Sequence, residues 1–77
     1  MLNRKTIYDQ IDNEREYQDK KWGGKSFDDT QTEQQWAEYI RQYAIGERGS
    51  NNFRERMIKV AALAVAAIES NDRLVTT

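Results

Sequence analysis

The chain contains no cysteine, no histidine and no proline, and only four glycines in 77 residues. Lacking Cys and His, it has neither disulfides nor the ligands of the common structural zinc sites. It also has no nucleophile–base pair of the Ser–His or Cys–His kind. Only carboxylates remain as metal ligands, and these suit magnesium, manganese or calcium. A chain this short holds one domain with a small core, so 1–77 reads as a single unit. Oligomerisation is the expected additional source of stability.

Strong charge of either sign is missing as well. A net charge of −1 gives no field for duplex nucleic acid, which is not an expected partner. The longest apolar run, 60–68, falls far short of the roughly 20 residues of a membrane span. Met1-Leu2-Asn3-Arg4-Lys5 is not followed by an apolar stretch of the signal-peptide type. The expected setting is therefore the cytoplasm.

What the chain does have is helical periodicity, punctuated by Gly23-Gly24 and by Gly46 and Gly49. The pattern predicts an all-α fold of three helices over about 3–22, 30–45 and 52–70. On the first, Ile7, Ile11, Gln18 and Trp22 share a face that turns polar halfway along, with Glu14 beside them. Either the second half is simply solvated, or Glu14, Arg15 and Gln18 line a cavity next to Trp22. Thr30 and Glu33 have capping-box spacing for the second helix, whose stripe is Trp36, Tyr39, Ile40 and Tyr43. Such a stripe reads first as core, with Trp36 or Tyr39 as a base-stacking ring the second reading. Asn51 and Asn52 are competent N-caps for the third helix. That helix is apolar on every side from Val60 to Ile68, and two other helices cannot surround it. A second copy of the chain is the expected cover for the alanine-rich stretch 60–68.

Glu14-Arg15, Gln18 and Lys21-Trp22-Gly23 form an ER-x-x-Q-x-x-K-W-G string. An alanine-rich helix follows later, ending in Glu69-Ser70 with Asp72-Arg73 close behind. With these features the chain resembles short bacteriophage and prophage proteins related to the MazG-like all-α nucleotide pyrophosphohydrolases, from about residue 7 to 73. The resemblance implies a MazG-like helical domain, and in its catalytic members an E-E-x-x-E motif facing E-x-x-D, which together hold magnesium against a triphosphate. Here Glu33 and Glu38 are five residues apart and point in different directions, and nothing acidic lies between Glu55 and Glu69. Glu14, Glu16, Asp19 and Asp28 are the only substitutes, and magnesium enters only if they are used that way.

A separate feature opposes ordinary helix design. Arg54 and Arg56 sit in the first turns of the third helix, where the macrodipole disfavours cations. With Arg48 and the glycine-bearing loop 46–52, they form a candidate phosphate site, or else a solvated loop neutralised by Glu55. The candidate ligand-binding residues are therefore Glu14, Arg15, Gln18, Lys21, Trp22, Trp36, Arg54 and Arg56. Together with the resemblance, they lead to the expectation of a non-catalytic, cofactor-free phage-type protein that binds a nucleotide-like molecule, such as a second messenger of host defence. The alternatives are an adaptor acting on a host protein and a divergent magnesium-dependent pyrophosphohydrolase.

Overall fold

The protein was analysed as a computed structural model that describes residues 3–76. The described residues form an all-α fold of four helices: α1 (Arg4–Trp22), α2 (Lys25–Asp28), α3 (Glu33–Ala44) and α4 (Phe53–Thr76). At about 1.5 Å per residue, the 24 residues of α4 span about 36 Å. α4 is the spine on which α1, α2 and α3 all pack. Among the described residues, no helix is long and apolar enough to cross a membrane.

Local chemistry sets the helix ends. Asn3 accepts the Thr6 N–H at 2.9 Å to start α1, and Gly23 closes it at φ 96°, a conformation that costs a glycine little. The chain does not run on as the expected loop: residues 25–28 make one further turn, α2. Thr30 belongs to the end of that turn, with both its N–H and its hydroxyl donating to Phe27 O at 3.1 and 2.7 Å. Thr30 and Glu33 therefore do not form the expected capping box. Thr32 and Gln35 form it instead, with bonds of 2.8 and 3.2 Å. Their S/T-x-x-E/Q spacing is identical, and what decides between the two pairs is that Thr30 is already committed to α2.

α4 opens with Asn52 accepting the Glu55 N–H at 3.0 Å and runs six residues beyond the expected end at residue 70. The extension carries Arg73 to Asp29, which it meets at 2.6 Å. Ser70 adds a 2.8 Å bond to the same carboxylate, so α4 is clamped to the segment after α2.

Trp36, Leu63 and Ala66 form the core, with Trp22, Tyr39, Ile40, Tyr43 and Ala67 packed around it. The apolar stretch of α4 is covered on one side only. Ala62, Leu63 and Ala66 are buried, whereas Val65 remains 39% and Ile68 60% exposed.

Candidate binding site

Between α1, α3 and α4 lies a cavity of about 110 Å³. This is several times the volume of about 10–15 Å³ that one water needs. Its walls are aromatic: Trp22 and Phe27 on one side, Trp36, Tyr39 and Tyr43 on the other, with Leu63 and Ala66 of α4 behind. Trp22 and Phe27 are tilted neighbours with centroids 6.2 Å apart, and Tyr39 meets Trp36 edge-on at 6.4 Å. The Tyr39 hydroxyl donates to Gln31 Oε1 at 3.2 Å, which anchors that ring.

Three polar residues interrupt this lining: Gln18, Asp28 and Arg48. Gln18 is only 3% exposed and Asp28 only 6%. Arg15 lies behind both, with its side chain 14% exposed. Its Nη1 donates to Gln18 Oε1 at 3.3 Å, its Nη2 to Asp19 Oδ1 at 3.0 Å, and its Nε to Glu69 Oε1 at 3.3 Å. Nη2 also lies 3.6 Å from Asp28 Oδ2, close enough for charge attraction but too long for a hydrogen bond. Burial pushes the Asp28 carboxyl above its ordinary value, against the opposing pull of Arg15. Arg48, by contrast, is exposed, lines the cavity and makes no ion pair among the described residues.

Of the residues picked out in the sequence, Gln18, Trp22 and Trp36 converge on this one cavity. Arg15 supports it from behind. Lys21 lies over the Trp22 ring at 5.5 Å and the Tyr17 ring at 5.8 Å, on the exposed surface of α1.

The remaining candidates go elsewhere. Glu14 pairs with Lys59 at 3.1 Å, and Arg54 donates to Gln10 at 2.6 Å. Both contacts stitch α1 to α4 along an open furrow separate from the aromatic cavity. Arg56 is half-buried and donates to the Tyr43 and Ser50 carbonyls at 3.1 and 3.2 Å. It holds the α3–α4 loop in shape, so Arg54 and Arg56 do not flank a common anion site. Their position against the helix dipole is offset by these fixed acceptors, a compensation that sequence spacing does not reveal.

Phe27 and Tyr43 line the cavity without having been expected binding residues, whereas Tyr39 entered only as an alternative stacking ring, Arg48 with the loop 46–52, and Asp28 as a substitute metal ligand. The spacing of Trp36, Tyr39 and Tyr43 along one face of α3 was the available signal for the tyrosines. Asp28 carried no such signal, because its burial depends on α2, a turn too short to show periodicity. Among the described residues, no three Asp or Glu side chains gather where they could share a metal ion.

No family model, characterised protein or solved structure matches the chain.

Proposed function

We propose that this protein binds a nucleotide-like small molecule, with the base inserted among Trp22, Trp36, Tyr39 and Tyr43 and the phosphate directed toward Arg48. The observation that carries this reading is the aromatic cavity with two buried polar groups at its floor. Planar rings stack on aromatic side chains, and a few fixed polar groups then set the orientation. The phosphate is directed outward because the one guanidinium behind the floor is shared by the lining carboxylate Asp28 and two half-exposed carboxylates, Asp19 and Glu69. That surplus of negative charge repels an anion, whereas Arg48 attracts one.

The protein acts by binding rather than turnover. This part of the reading rests on the carboxylates themselves: Glu14 is engaged by Lys59 and Asp28 is shut in beside Arg15. Resemblance to phage proteins adds the biological proposal, sequestration of a nucleotide second messenger of the host.

The same proposal includes a second copy of the chain on the outer stripe of α4, where Val65 and Ile68 are exposed beside the small Ala61 and Ala64. A host-protein adaptor would use this same stripe, which is the one observation favouring that second reading.

Isothermal titration with mononucleotides and cyclic dinucleotides, alongside a magnesium-dependent pyrophosphate-release assay, tests the proposal. Saturable binding without release supports it. Release of pyrophosphate, or no binding by any nucleotide, overturns it.

A further inference from the structure

We infer that the cavity floor selects a guanine-type edge, meaning two adjacent N–H donors beside a carbonyl acceptor. The inference rests on the nucleotide reading above and names which base that site takes.

Arg15 determines which atoms the floor presents. A guanidinium only donates, so the Gln18 amide atom facing it at 3.3 Å is the oxygen. The Gln18 Nε2 therefore points away from Arg15, in a side chain that is 97% buried and lines the cavity. It donates to no acceptor among the described residues. Asp28 is its neighbour across the same guanidinium, with Oδ2 at 3.6 Å from Nη2. Neither carboxylate oxygen of Asp28 accepts a hydrogen bond from a described residue. The cavity lining thus offers the Gln18 amide N–H donors together with two Asp28 carboxylate oxygens, neither of which accepts a hydrogen bond from a described residue.

A ligand that pairs with these groups inside so enclosed a cavity gains hydrogen bonds shielded from bulk water. An organic cation would suit Asp28 and the aromatic rings, but it leaves the Gln18 N–H facing positive charge with no acceptor. Uracil has one N–H flanked by two carbonyls, so one carbonyl oxygen meets the carboxylate. Adenine and cytosine each bring an amino group beside a ring-nitrogen acceptor, which serves Gln18 and a single Asp28 oxygen. Guanine brings N1–H and its 2-amino group to the two oxygens, and its O6 to Gln18 Nε2. Only the guanine edge fills all three positions.

Quenching of Trp22 and Trp36 fluorescence by GMP, IMP, AMP and UMP, checked by calorimetry, decides the matter. GMP is expected to bind at least about tenfold more tightly than AMP or UMP, with IMP, which lacks the 2-amino group, in between. Asp28→Asn is expected to abolish the preference while leaving residual stacking affinity. AMP or UMP binding as tightly as GMP overturns the inference and leaves the nucleotide reading standing. Preference for GMP that survives Asp28→Asn also overturns it. Binding of none of the four, nor of any cyclic dinucleotide, overturns both. If Asp28→Asn does not fold, the base series on the unsubstituted protein is decisive by itself.

Discussion

Arg15 and Gln18, one helical turn apart on α1, are joined by a 3.3 Å hydrogen bond from Nη1 to Oε1 that leaves the Gln18 amide nitrogen facing away from the guanidinium, in a side chain that lines the aromatic cavity. In the proposed reading, Arg15 is a positioning residue. Its effect on a ligand passes through Gln18 and Asp28, and it holds three carboxylates from different parts of the chain at the same time.

Replacing Arg15 with alanine is expected to cost about 1–3 kcal/mol of stability, because Asp28 is left buried without its cation. Arg15→Lys retains the charge but cannot reach Gln18, Asp28, Asp19 and Glu69 together, so it should recover only part of the loss. Urea unfolding of the two variants measures this. Equal midpoints for parent and alanine variant would show that the cluster contributes nothing.

Asp28 and Asp29 act on stability with opposite signs across pH. Burial pushes the Asp28 carboxyl up, while hydrogen bonds from Arg73 and Ser70 hold that of Asp29 down. The Asp28 contribution is complete below the unfolded value of 3.8 and is lost as pH rises through its higher folded value. The Asp29 contribution is present above 3.8 and is lost as pH falls through its lower folded value. Relative to the parent, Asp28→Asn should therefore gain stability as pH rises past 3.8, and Asp29→Asn should lose it. Denaturation midpoints from acid to neutral pH check both, and parallel profiles would contradict the assignment. A gain in stability at Asp28 together with lost guanine preference is the trade expected of a binding group.

Gly49 sits at φ 86°, and an added Cβ would lie 2.9 Å from the Tyr43 ring. Gly49→Ala should cost about 1–2 kcal/mol from backbone strain alone, and more if Tyr43 has to shift. Since Tyr43 walls the cavity, ligand affinity should fall with stability. Thermal unfolding with and without nucleotide separates the two effects.

Arg56→Ala removes two hydrogen bonds to main-chain carbonyls and is expected to destabilise the chain by about 1–2 kcal/mol. A loss of nucleotide affinity at unchanged thermal stability would instead return Arg56 to the phosphate role expected from the sequence.

Ile68→Glu tests the outer stripe of α4. The side chain is 60% exposed in the single chain, so the monomer should fold as before. Light scattering after size exclusion should then show a smaller species than the parent, and a parent that is already monomeric in dilute solution would remove the second copy from the proposal.

Particular residues mark how far the sequence could be read. The face carrying Trp36, Tyr39 and Tyr43 was legible because helical spacing alone puts those side chains on one side. Gln18 and Trp22 were legible as cavity residues for the same reason. Asp28 was not, because its burial is a product of α2 packing under α4. The contacts of Arg54 and Arg56 were not legible, since their partners Gln10, Tyr43 and Ser50 lie up to 44 residues away in the chain.

By itself the sequence determined the helical class, the stop at Gly23 and the apolar surplus of 60–68, all of which follow from short-range periodicity and backbone freedom. Tertiary structure alone decided which polar groups line the cavity and which arginines are already engaged. Those depend on contacts between distant segments, and chain-local rules carry no information about desolvation at a place where three helices meet.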